Sequence, residues 1–197
     1  MEDVSKNELS PQESLRLIQT MIETTKNAIG DRSHYFLLWG WGVFSACILQ
    51  FVLKVFINSP YNGAAWLIMP FIFAAHIFFI VQDKKREKIK TFISDANNYL
   101  WTALVFAFLV AGFIFSKLGW ENCFPVYTIL YGIGTYVSGC LIKFKPLLYG
   151  GIACFPLALL CAHVGFDARI LVMSFALLIS YIVPGHLLRL QYLRQNK

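Results

Sequence analysis

The chain has 197 residues, of which 57% are hydrophobic and only 14% are charged. Its mean hydropathy of +0.59 excludes an ordinary soluble domain, because such domains carry far more polar and charged residues. The net charge of +6 does not indicate nucleic-acid binding, since the basic residues lie in short segments beside apolar stretches.

The first 34 residues form a polar arm with a predicted amphipathic helix over residues 10–29. Ser10 suits the N-cap, Pro11 suits the first helical position, and Glu13 completes a capping box. A helical projection gathers the aliphatic side chains of this segment on one face, opposite a face of mixed charge. The arm lacks the apolar core and cleavage site of a secretory signal peptide, so we interpret it as a cytoplasmic element.

The apolar face of this helix is entirely aliphatic, whereas a membrane-surface helix usually carries Trp or Phe there and excess Lys or Arg opposite. We therefore expect contact with protein rather than lipid. The partner is either the cytoplasmic end of the chain's own bundle or another chain, which includes a second copy in a homo-oligomer. The predicted partner-binding residues are Leu15, Ile18, Met21, Ile22 and Ile29.

Six apolar stretches follow the arm, each close to the roughly 20 residues that a helix needs to cross a bilayer. They cover residues 35–57, 64–82, 99–117, 123–142, 147–163 and 170–188. The predicted fold is therefore all-α: a polytopic membrane protein with six transmembrane helices in three up-down hairpins, preceded by the cytoplasmic amphipathic helix. The bundle spans residues 35–189, and residues 190–197 form a tail.

All but three of the 17 Lys and Arg residues lie on one side of these stretches, the exceptions being Lys54, Lys117 and Arg169. The positive-inside rule then places both termini in the cytoplasm, as expected of a bacterial inner-membrane protein. We also expect the long loop after the second stretch to lie at the lipid headgroups, because it is strongly basic. Its basic residues are Lys84, Lys85, Arg86, Lys88 and Lys90.

No acidic or basic residue occupies the middle of any stretch, which argues against an ion-coupled transporter or an intramembrane hydrolase. No phosphate loop, zinc-protease motif or nucleophile elbow is present. We therefore predict a protein that is not an enzyme and needs no cofactor. Pro70, Pro156 and Pro184 lie inside stretches and can kink their helices, and the fourth and fifth stretches contain small residues that favour close packing.

Two pairs of residues remain as minor candidates for chemistry. His76 and His186 could bind haem or a metal if their imidazoles converge, but the simpler interpretation is that each bonds to a neighbouring backbone carbonyl. Cys123 and Cys161 lie near the non-cytoplasmic ends of consecutive stretches, where an oxidising compartment would permit a disulfide. The other cysteines are expected to be small apolar fillers.

The stretches Phe36-Leu-Leu-Trp-Gly-Trp-Gly42 and Tyr131-Gly-Ile-Gly134, together with the layout, resemble the small six-helix inner-membrane proteins of bacteria. That resemblance implies no catalytic residue. We favour a regulatory or scaffolding protein that acts through its cytoplasmic helix and basic loop. One alternative is a small-molecule-binding transport subunit, similar to the substrate-binding subunits of energy-coupling-factor transporters, with Gly42-x3-Ala46 as a loose match to their docking motif. A further alternative is a haem-binding redox protein.

Overall fold

The computed structural model describes residues 10–31, 33–84 and 92–195, with side chains over residues 10–22, 33–82 and 92–194. Within these ranges the chain is a bundle of helices and contains no β-strand. The α-helices are α1 (Pro11–Asp31), α2 (Ser33–Val55), α3 (Met69–Lys84), α4 (Phe92–Leu118), α5 (Cys123–Leu141), α6 (Lys145–His163), α7 (Phe166–Leu177) and α8 (Val183–Gln195). Two 3₁₀ segments, Asn62–Ile68 and Trp120–Asn122, precede α3 and α5.

Five helical segments of the described chain are long and apolar enough to cross a membrane. They are Ser33–Val55, Asn62–Gln82, Phe92–Leu118, Lys145–His163 and Phe166–Arg194. The predicted stretch 123–142 is also helical, as α5, but its Gly, Thr, Tyr and Ser residues lower its hydropathy below that of the other five. The described chain is therefore an all-helical bundle of the membrane type.

The N-terminal capping box forms as the sequence predicts. The backbone N–H of Glu13 donates to Ser10 Oγ at 3.2 Å, and the Ser10 N–H donates to Glu13 Oε2 at 2.9 Å. Together these bonds satisfy two donors that the helix would otherwise leave open at its start. Helix α1 then runs to Asp31, two residues further than predicted, and contacts α8, α4 and α2.

The prolines affect their helices in three different ways. Pro70 is the second residue of α3, so it lies where the 3₁₀ segment ends and the α-helix begins. Pro156 lies inside α6, which continues through it. Pro184 follows a π-helical turn over Leu178–Ile182 that joins α7 to α8, and the Val183 N–H donates to the Leu178 carbonyl within that turn.

Helices α5 and α6 are in backbone contact, as their small residues predict. A Cβ atom on Gly151 would lie 2.4 Å from the Tyr136 nitrogen, and one on Gly139 would lie 2.5 Å from the Leu148 nitrogen. Gly150 meets the π-turn in the same way, since its Cβ would lie 2.6 Å from the Ile179 carbonyl oxygen. Only glycine permits approaches this close, and they fix α6 between α5 and the π-turn.

The largest buried cluster lies between α2, α4, α5, α6 and α7. Aromatic rings cross it in a chain of edge-on contacts, with the centroids of Trp101 and Tyr181 5.9 Å apart and those of Tyr131 and Tyr181 5.2 Å apart. Such edge-to-face pairs add to the packing energy of a buried core. A smaller cluster around Ile142 and Leu188 closes the bundle at the end that carries the α5–α6 turn.

Candidate functional site

Helix α1 presents an uncovered aliphatic face over its first turns. Leu15, Ile18 and Met21 are 61%, 51% and 39% exposed, and Ile22 is half-buried. Ile29 lies in the helix, but its side chain is outside the described part of the chain. Apart from Ser14, every residue from Pro11 to Thr20 is exposed in the structure. The aliphatic side chains of Leu15 and Ile18 are therefore accessible, while their binding of a partner stays a prediction.

The capping box at the start of α1 also affects the ionisation of the Glu13 carboxyl group. The hydrogen bonds from the Ser10 backbone and hydroxyl hold the pKa of the Glu13 carboxyl below its ordinary value, because they favour the ionised form.

The structure describes only one of the basic residues that are predicted to meet lipid headgroups. Lys84 is the last residue of α3, whereas Lys85, Arg86, Lys88 and Lys90 lie outside the described residues.

His76 and His186 each accept a hydrogen bond from a different tryptophan of α2. The Trp39 indole N–H donates to His76 Nδ1 at 3.2 Å, and the Trp41 indole N–H points to His186 Nε2 at 3.4 Å. Because Trp39 and Trp41 are two residues apart on α2, they project about 200° apart around the helix. Each histidine is thus held by its own tryptophan on a different side of α2. In the described part of the chain, no three His, Cys, Asp or Glu side chains form a group that could hold a metal ion.

Two of the three cations on the sparsely charged side of the bundle, Lys54 and Arg169, have structural partners. Lys54 at the end of α2 pairs with Asp167 and lies 3.9 Å above the Phe166 ring. Arg169 donates to the carbonyl oxygens of Val164 and Glu121, at 3.0 and 2.9 Å, and joins the start of α7 to the α4–α5 connection. These two exceptions to the charge asymmetry therefore stabilise loops at one end of the bundle.

Two buried polar clusters join helices, and neither is apparent from the sequence pattern alone. The Trp66 indole donates to Gln50 Oε1 at 2.7 Å, and Gln50 Nε2 donates to Asn62 Oδ1 at 3.2 Å, which ties α2 to the 3₁₀ segment. Ser138 donates to Asn97 at 2.7 Å and accepts from Trp101 at 3.1 Å, which ties α4 to α5. An amide inside an apolar stretch, as at Gln50, was the available sequence signal. These groups satisfy one another, so they act as interhelical contacts.

Cys123 and Cys161 are both free and buried, in the same core cluster as the free Cys47. The Cys161 thiol points to the Arg169 carbonyl at 3.7 Å. The fold thus brings together the two cysteines that the sequence pairs by depth, while their disulfide stays a prediction.

Comparisons of this chain with protein families, with curated proteins and with solved structures give no match.

Proposed function

We propose that this chain is a six-span protein of the bacterial cytoplasmic membrane, with both termini in the cytoplasm. The sixth span is α5, whose 19 residues are long enough to cross the hydrocarbon core. Its low hydropathy comes partly from polar residues that face inward: Thr128, Thr135 and Ser138 are buried and donate hydrogen bonds. Lipid does not contact these hydroxyls, so they do not oppose insertion.

The packing of α5 supports the same topology. Its backbone touches that of α6, a helix long and apolar enough to span, over the glycines at 139 and 151. A short turn joins the two helices, and Lys143 takes a positive φ of 50° there. Two helices in contact along their lengths and joined by a short turn are antiparallel neighbours, so we infer that α5 crosses wherever α6 does. The distribution of Lys and Arg then orients the termini.

We infer that the protein acts as a non-enzymatic regulatory or scaffolding protein that recruits a second protein chain through α1. The exposed aliphatic side chains of Leu15 and Ile18 carry this proposal, and the half-buried Ile22 continues their face. Leu15, Ile18 and Ile22 follow the i, i+3, i+7 spacing of the anchors with which amphipathic helices dock in protein grooves. Mixed charge on the opposite face, with Glu13 and Arg16 both present, favours protein over a lipid surface.

A matched pair of variants tests this function. Leu15→Asp with Ile18→Asp places two charges on the aliphatic face, whereas Gln12→Asp with Thr20→Asp places two charges on the exposed polar face of the same helix. With a photo-crosslinker at residue 17, we expect one dominant crosslinked partner in native membranes, lost in the double variant of the aliphatic face and retained in the double variant of the polar face. Crosslinks that are unchanged in the double variant of the aliphatic face, or that form only to lipid, would overturn the proposal.

Haem binding through His76 and His186 has less support than the scaffolding function, since each histidine accepts a hydrogen bond from a different tryptophan of α2. The transport-subunit alternative stays a prediction, and a small metabolite that co-purifies with the chain in mild detergent would support it.

A further inference from the structure

An open groove of about 500 Å³ runs along the bundle surface between α2, α3 and α8. Its walls are mostly apolar and include Leu38, Trp41 and Ile72. His34 and Arg189 lie at one end of it, near the start of α2 and within the last turns of α8. Its volume falls within the range of sites that bind small molecules, but it opens sideways instead of enclosing a cavity.

The length of the groove matches one leaflet of a bilayer. Along α2 it extends from His34 to Ser45, which is eleven residues or about 16 Å of helix. Half of the roughly 30 Å hydrocarbon core is about the same length. With the topology proposed above, on which this inference rests, the groove begins at the cytoplasmic headgroup level and ends near the bilayer centre.

Arg189 places a positive charge at the headgroup end of the groove. Its side chain is exposed and makes no ion pair or hydrogen bond within the ranges that the structure describes. Arginine at this depth faces the headgroup region, where phosphate is the available anion, and its planar guanidinium binds phosphate oxygens in pairs. The apolar side chains of Leu38, Trp41 and Ile72 continue from this charge toward the bilayer centre, where Ser45 ends the groove along α2.

We propose that this groove binds one anionic phospholipid of the cytoplasmic leaflet, with its phosphate at Arg189 and one acyl chain along Leu38, Trp41 and Ser45. Charge at one end and apolar surface of one-leaflet length at the other match the two chemistries of such a lipid. The groove is distinct from the aliphatic face of α1, so the lipid and a protein partner bind to different surfaces.

The test is native mass spectrometry of the full chain in mild detergent, after delipidation and addition of phosphatidylglycerol or phosphatidylcholine. We expect one phosphatidylglycerol per chain, bound more tightly than phosphatidylcholine. Arg189→Gln should weaken phosphatidylglycerol about fivefold, as loss of one basic contact near an anionic headgroup implies. Arg194→Gln is the matched control, because it removes the same charge from the same helix outside the groove. Ser45→Trp should displace both lipids by filling the apolar part.

Three results would overturn the proposal: equal binding of the two lipids, equal loss in Arg189→Gln and Arg194→Gln, or displacement by millimolar inorganic phosphate alone. The first two would mean diffuse attraction to a basic surface, and the third a simple anion site. If Ser45→Trp fails to fold, the two arginine variants still decide the outcome. Lipid retention is independent of the crosslinking of α1, so failure of one proposal is distinguishable from failure of the other.

Discussion

Substitution of Gly151 by alanine tests the backbone contact between α5 and α6. The new Cβ would lie 2.4 Å from the Tyr136 nitrogen and 2.7 Å from its Cα, so two helix backbones must separate to admit it. Overpacking of a well-packed interior costs about 1–3 kcal/mol, and we expect the upper end because no flexible side chain can move aside. For a chain of this size, about 3 kcal/mol corresponds to a fall in Tm of roughly 6–12 °C.

The assay is thermal unfolding of the purified chain in one detergent, followed by circular dichroism. Gly63→Ala is the control, because a Cβ at Gly63 meets nothing within 4 Å and its backbone φ is not positive. Its Tm should stay near that of the original chain or rise slightly, since alanine restricts the unfolded backbone. If the Tm of Gly151→Ala equals that of Gly63→Ala, helices α5 and α6 are not in backbone contact and the packing described above is wrong.

Three further predictions concern hydrogen bonds, pH and thiols. Gln50→Leu leaves the Trp66 indole without its acceptor and should cost about 1–2 kcal/mol in unfolding free energy, seen as a lower Tm than that of an exposed-site variant such as Gln12→Leu. The lowered pKa of Glu13 means that its contribution to α1 is present above the unfolded value and is lost as pH falls through the folded value, below 4.5. NMR shifts of the first turn in micelles should therefore lose helical character in that acidic range, while Glu13→Gln should show no such step. Alkylation of the denatured chain tests the predicted disulfide, because Cys123 and Cys161 are free in the structure but lie in one buried cluster. Five labels both with and without prior reduction would exclude the disulfide. Two fewer labels without reductant would indicate a disulfide.

Elements that depend on local sequence were predictable. The capping box at Ser10 and Glu13 forms, and α5 begins at Cys123, the first residue of the predicted fourth stretch. Each is governed by residues within a turn or two of the feature, or by the length of a continuous apolar run. For the same reason the small residues of the fourth and fifth stretches predicted their close packing.

Features that depend on distant partners were not predictable. Whether Pro70 kinks a helix or begins one depends on a 3₁₀ segment that Gln50, twenty residues earlier, stabilises through Trp66 and Asn62. The pairing of His76 with Trp39 and of His186 with Trp41 depends on contacts between helices, and one sequence carries no such pairing information. The groove at Arg189 is assembled from three helices that are far apart along the chain.

The six-span topology is tested most directly by determining on which side of the membrane each end of α5 lies. In a background without the native cysteines, the single substitutions Glu121→Cys and Lys143→Cys each place one thiol at an end of α5. Both positions are exposed, so a maleimide can reach them. With a membrane-impermeant maleimide on intact spheroplasts, we predict labelling at position 121, and labelling at position 143 only after permeabilisation. Labelling of both positions from the same side would mean that α5 does not cross, and it would contradict the six-span topology on which the proposals for α1 and the lipid groove depend.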